Sequence, residues 1–82
     1  MDYLTQAKIY DFVAATLREF GVVNPHLDAR HMRILTREGC YAGHVVQCEH
    51  VRVFFSEDGQ VIQFFNLSHA LLRAVNVRQI AA

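Results

Sequence analysis

The stretch Val51-Arg52-Val53-Phe54-Phe55-Ser56-Glu57-Asp58-Gly59-Gln60-Val61-Ile62-Gln63-Phe64-Phe65 decides how this chain folds. Two runs rich in β-branched and aromatic residues flank a polar segment, which is the pattern of a β-hairpin. Asp58-Gly59 suits a type I′ turn, in which both central residues take positive φ. With that pair as the loop, Glu57 faces Gln60, Phe55 faces Ile62 and Val53 faces Phe64. Successive side chains on a strand point to opposite faces. One face therefore carries Val51, Val53, Phe55, Ile62 and Phe64, all apolar, and reads as core. The other carries Arg52, Phe54, Val61, Gln63 and Phe65. A face mixing aromatics with an Arg and a Gln has the composition of a contact surface.

Working outward, Cys40 to Val46 has strand composition. A tight loop at Cys48-Glu49 would pair Val46 with Val51 and His44 with Val53. Val46, His44, Ala42 and Cys40 then join the core face, while Tyr41, Gly43 and Val45 join Arg52 and Phe54. A slip of one residue would exchange the faces. Arg30 to Arg37 reads in two ways. A helix would gather Arg30, Arg33 and Arg37 on one face; a strand would set Met32 and Ile34 opposite Arg33 and Arg37. The Glu38-Gly39 turn between two extended runs favours the strand.

Residues 3–20 have helical spacing, with Ile9, Phe12, Val13, Leu17 and Phe20 on one stripe and Lys8, Asp11, Arg18 and Glu19 mainly opposite. Gly21 stands where a helix ends. Asn24, Pro25 and Asp28 suggest a helical turn running to about Arg30. Downstream, Ser68 is placed to cap a last helix bearing Leu71, Leu72 and Val75, flanked by Arg73 and Arg78, with residues 77–82 frayed. The expected fold class is α+β: residues 1–82 as one small domain, an N-terminal amphipathic helix packed on an antiparallel meander of three or four strands, and a short C-terminal helix.

At 82 residues the chain is too short for two ordinary domains. A chain of this size buries only about 60–65% of the surface its unfolded form exposes. Yet 52% of its residues are hydrophobic, more than one small core easily hides. The remainder is expected to be a contact site, most simply between two copies related by a two-fold axis. Eight basic and eight acidic residues leave no basic surplus, which argues against a nucleic-acid module. The opening residues have no basic segment, and no apolar run is long enough to span a bilayer. A cytoplasmic setting is expected, with Cys40 and Cys48 reduced.

Cys40, His44, Cys48 and His50 are metal-ligand types in close succession. Zinc needs ligands converging at about 2.0–2.3 Å, whereas residues i and i+4 of a strand stand about 13 Å apart. These residues therefore cannot share one metal along one strand. A small metal or thiol site around Cys48 and His50, completed from elsewhere, is retained as an alternative, and no cofactor is expected. The four glycines are scattered singly, so no phosphate-binding loop is present. Arg30, Arg33 and Arg37, with His26 and His31, form the basic cluster. On a helix they would resemble a groove-reading face, with the hairpin as a wing. Such a winged helix wants three helices before the wing, and only two fit here. Tyr41, Phe54 and Phe65 near Arg52 have the chemistry to stack bases, although a lone Arg weakens that reading. The expected function is a non-enzymatic interaction module that self-associates through Tyr41, Arg52, Phe54 and Phe65. A winged-helix-like nucleic-acid binder using Arg30, Arg33 and Arg37 is the alternative.

Overall fold

In the computed structural model, which describes residues 6–25, 27 and 32–81, the helical stripe becomes α1, Gln6–Glu19. Val13 and Leu17 are completely buried, and Ile9, Phe12 and Phe20 pack against the core. Thr16 is buried in the same stripe, its hydroxyl donating 3.0 Å back to the Phe12 carbonyl. That bond satisfies the one polar group the stripe buries. The helix stops in a Schellman motif: Val22 N donates to Leu17 O and Gly21 N to Arg18 O, both at 3.0 Å, with Gly21 at φ 90°. The expected turn from Pro25 to about Arg30 lies largely outside the described residues, as do positions 3–5 of the expected helix.

Five strands follow in chain order: β1 Met32–Arg37, β2 Cys40–Cys48, β3 Val51–Ser56, β4 Val61–Asn66 and β5 Leu71–Asn76. They form one antiparallel meander of order β1-β2-β3-β4-β5. The α+β class is as expected, with five strands in place of three or four. Residues 32–37 are a strand, as the Glu38-Gly39 turn suggested; Glu38 and Gly39 both take positive φ, 54° and 79°.

The central hairpin keeps its expected register, Phe55 opposite Ile62 and Val53 opposite Phe64, but not its expected turn. Of Asp58 and Gly59 only Gly59 has positive φ, and the reversal is closed by Gly59 N donating to Ser56 O at 3.0 Å. Asp58 caps the loop instead. Its carboxylate accepts from Ser56 Oγ at 2.7 Å and from Gln60 N at 2.9 Å. Lengthening the loop from residues 58–59 to 57–60 adds one residue on each side, so the register and the faces survive. The β2–β3 loop is Glu49-His50, not Cys48-Glu49, so Val46 pairs with Val53 and His44 with Phe55. This shift is also of even length, and Val46 stays on the core face. Glu49 takes positive φ, and its carboxylate accepts from the amides of Val23 and Asn24, both at 3.0 Å, tying the turn to the segment after α1.

Other expectations are overturned as well. Leu71–Asn76 is a strand, not a helix capped by Ser68. The polar run before it is a hairpin turn: Asn66 Oδ1 accepts from the amides of Ser68 and Ala70, both at 2.9 Å, and His69 takes positive φ. Pairing with β4 satisfies the β4 edge, which a helix would have left open. Nor do Ala42 and Cys40 lie on the core face. The pairing steps from Leu35–Gly43 to Thr36–Tyr41, so Ala42 is the extra residue of a β-bulge and the alternation reverses beyond it. Cys40 is exposed.

Residues 77–81, expected to be frayed, are helical. α2, Val77–Ala81, is capped at its start by Asn76, whose Oδ1 accepts from Arg78 N at 2.9 Å while Gln79 Oε1 accepts from Asn76 N at 3.0 Å. Val77 and Ile80 pack against the core. That core lies between α1 and one face of the sheet, and holds Val46, Val51, Val53, Ile62, Phe64 and Val75. No helix among the described residues is long and apolar enough to cross a membrane.

Candidate binding face of the sheet

α1 covers one face of the sheet. On the other face an open trough of about 890 Å3 runs across four strands. Register builds it row by row. Arg33 faces Val45, Val45 faces Phe54, and Phe54 faces Gln63. In the next row Gln47 faces Arg52 and Arg52 faces Phe65. Leu35 and Arg37 extend the β1 flank, and Glu49 and His69 close the end from two turns.

Phe54 and Phe65 are diagonal neighbours on adjacent strands, a relationship that places backbones about 7–8 Å apart. The trough therefore offers two aromatic rings on its floor. Gly43 makes room for the first. A Cβ on Gly43 would lie 2.3 Å from the Phe55 carbonyl oxygen and 2.8 Å from Phe54 Cε1, and its φ is 148°. The Phe54 ring thus lies against bare backbone next to the bulge, where any other residue would push it away.

Arg52 is braced within the face: its Nε donates to Gln47 Oε1 at 3.2 Å. Among the described residues Arg33 and Arg37 form no ion pair. Arg73, on the helix side, contrasts with them. It bonds Glu19 at 3.0 Å and lies 5.0 Å from the centroid of the Phe20 ring. Three arginines and His69 line the trough against one acidic residue, Glu49, whose carboxylate already holds two backbone amides. The other described acidic residues, Asp11, Glu19, Glu38, Glu57 and Asp58, lie elsewhere on α1 and in two other turns. A chain of zero formal charge thus carries a locally positive face.

The residues singled out in the sequence fall out as follows. Arg52, Phe54 and Phe65 share the trough, and Arg33 and Arg37, read from sequence as a separate basic cluster, share it too. Arg30 lies outside the described residues. Tyr41 is not with them. The bulge at Ala42 turns it toward the core-side His44, with the rings 5.2 Å apart and the phenol hydrogen-bonded to His44 Nδ1. The face expected for Tyr41 is therefore corrected. With Met32–Arg37 extended, the helical presentation of Arg33 and Arg37 required by a winged helix is not formed. Sequence reasoning missed Leu35, Gln47, Glu49 and His69. The first two are alternate positions on β1 and β2, legible once the strand pairing is known.

Cys48 is buried in the core, Cys40 exposed at the start of β2, and His50 Nε2 bonds the Phe20 carbonyl at 2.7 Å. Among the described residues no group of three or more His, Cys, Asp or Glu side chains is placed to hold a metal. A second hollow of about 570 Å3, with Ile9, Tyr10, Met32, Ile34, His44 and Phe55 in its lining, opens between α1 and the sheet. It is largely apolar and continuous with the core packing.

The fold and this face define a small α+β domain: a five-stranded antiparallel meander with one face sealed by a helix and the other open and basic. No family model matches the chain, and neither a curated protein nor a solved structure matches it.

Proposed function

We propose that the chain is a non-enzymatic binding module that works through the sheet face opposite α1, in a cytoplasmic setting. One observation carries the reading. Arg33, Arg37, Arg52, Phe54 and Phe65 come from three strands and line one trough that no element of the described chain covers. Arginine and aromatic side chains are the types that dominate binding surfaces, because each combines a large apolar area with a directional polar or π contact. The composition supports holding a partner more than transforming one. The one carboxylate in the described lining, Glu49, is engaged by the Val23 and Asn24 amides.

Amide chemical-shift mapping tests the reading. Three probes are added to labelled protein: more of the same chain, a short single-stranded oligonucleotide, and a polyglutamate peptide. The reading expects at least one probe to shift amides of residues 33–37, 45–47, 52–54 and 63–65 together. Shifts confined to α1 and α2, or none with any probe, would overturn it.

A further inference from the structure

Three kinds of group meet in the trough, and each has a different preferred contact. Arg33 and Arg37 stand on the β1 flank with no ion-pair partner among the described residues. Phe54 and Phe65 form the floor on β3 and β4, and Gln63 brings an amide group that donates and accepts beside them. Strands lie about 4.8 Å apart, so Arg33 stands roughly 10 Å across the sheet from Phe54. A ligand that fits has negative charge repeated along one side and flat π-faces along the other, with hydrogen-bonding edges between.

We infer that the open face binds single-stranded nucleic acid, its phosphates on the Arg33 and Arg37 flank and its bases over Phe54 and Phe65. The inference rests on the open face being the working surface and names what occupies it. Charge complementarity selects this occupant over a second copy of the chain. A two-fold pairing of these faces brings together the three arginines of each copy and, among the described residues, one carboxylate from each, so like charges are desolvated against one another. A polyanion removes that conflict. Single strands are favoured over duplex because stacking requires bases whose faces are free, and every base has such a face. Recognition is therefore expected to be tolerant of sequence. The neutral total charge does not oppose this, because the described acidic side chains sit outside the trough, apart from the engaged Glu49.

Fluorescence anisotropy with a labelled oligothymidylate of about 12 nucleotides, within the range such sites cover, tests the inference. Binding is expected at low salt, weakening with a log–log slope of about −1.4 if Arg33 and Arg37 each meet a phosphate. The double variant Arg33→Ala/Arg37→Ala should weaken binding and remove most of that slope. Phe65→Ala should weaken it roughly 5-fold or more with the slope kept, because it removes stacking and no charge. Phe65→Leu, which retains apolar bulk, should also lose affinity, and circular dichroism confirms that each variant is folded. Four results would overturn the inference: no binding, binding unchanged in folded variants, equal affinity for polyglutamate of matched charge, or tighter binding to duplex. A concentration-dependent dimer that Phe65→Asp dissociates, with no oligonucleotide binding, would also sink it. That last result would leave the face as the working surface and make the occupant a second copy.

Discussion

Phe64 and Phe65 are adjacent on β4 and face opposite worlds. Phe64 is fully buried, its ring 5.8 Å from that of Phe20 under α1. Phe65 is half-buried in the floor of the trough. The same contrast holds for cations. Arg73, on the helix side, is paired with Glu19 and stacked near Phe20, whereas Arg33 and Arg37 on the open side have no ion-pair partner among the described residues. Alternation along a strand thus separates two jobs at single-residue resolution. Residues pointing toward α1 supply stability, and their immediate neighbours are free to supply recognition. The comparison can be broken from either side.

The largest effect is expected on the helix side. Leu17→Ala removes a completely buried side chain from the stripe of α1 and should cost about 2–5 kcal/mol, read as a lowered urea midpoint. In a chain this small such a loss is a large share of total stability, and partial unfolding at room temperature is the extreme form of the same outcome. An open-face substitution of similar size, Leu35→Ala, should change the midpoint little.

Gly43→Ala probes the boundary between the faces. Its new Cβ meets the Phe55 carbonyl and the Phe54 ring at contact distances no real Cβ tolerates, so a loss of about 1–3 kcal/mol is expected. Phe54→Ala in the same background should recover only part of that loss, because the ring can be removed but the carbonyl cannot. Full recovery would show that the glycine serves the ring alone.

A smaller effect is expected at the β3–β4 turn. Hydrogen bonds from Ser56 and from the Gln60 amide hold the Asp58 carboxyl below its ordinary range. The folded state therefore favours the ionised form, so this contribution is complete above the ordinary carboxylate range and is lost as the pH falls through the lowered value. The gap in urea midpoint between the parent and Asp58→Asn should be present at neutral pH and narrow in acid. A gap that widens in acid would contradict the assignment.

How much of this was legible in the sequence follows from parity. The Val51–Phe65 hairpin was readable because any symmetric loop around Asp58-Gly59 keeps Phe55 opposite Ile62, so a misjudged turn type did no harm. The β2–β3 loop was misplaced by one residue, a two-residue shift in pairing that again preserved the faces. The bulge at Ala42 is an odd step, and it alone moved Tyr41 to the other side; Gly43 was its visible trace. β5 was lost because Leu71-Leu72-Arg73-Ala74-Val75 is too short for its period to separate helix from strand, and Ser68 offers a plausible cap. The trough was half visible. Arg52, Phe54 and Phe65 followed from the hairpin, but their union with Arg33 and Arg37 depends on β1 pairing with β2, which is a long-range fact that local pattern does not carry.

The separation of duties on β4 is tested most directly by urea unfolding of Phe64→Ala and Phe65→Ala side by side. Phe64→Ala should lose about 3–5 kcal/mol, because it opens a sealed cavity under α1. Phe65→Ala should stay within about 1 kcal/mol of the parent, because a half-covered ring on an open face leaves no cavity behind. Equal losses in the two variants would mean that Phe65 is a structural residue and that the open face is a second core surface.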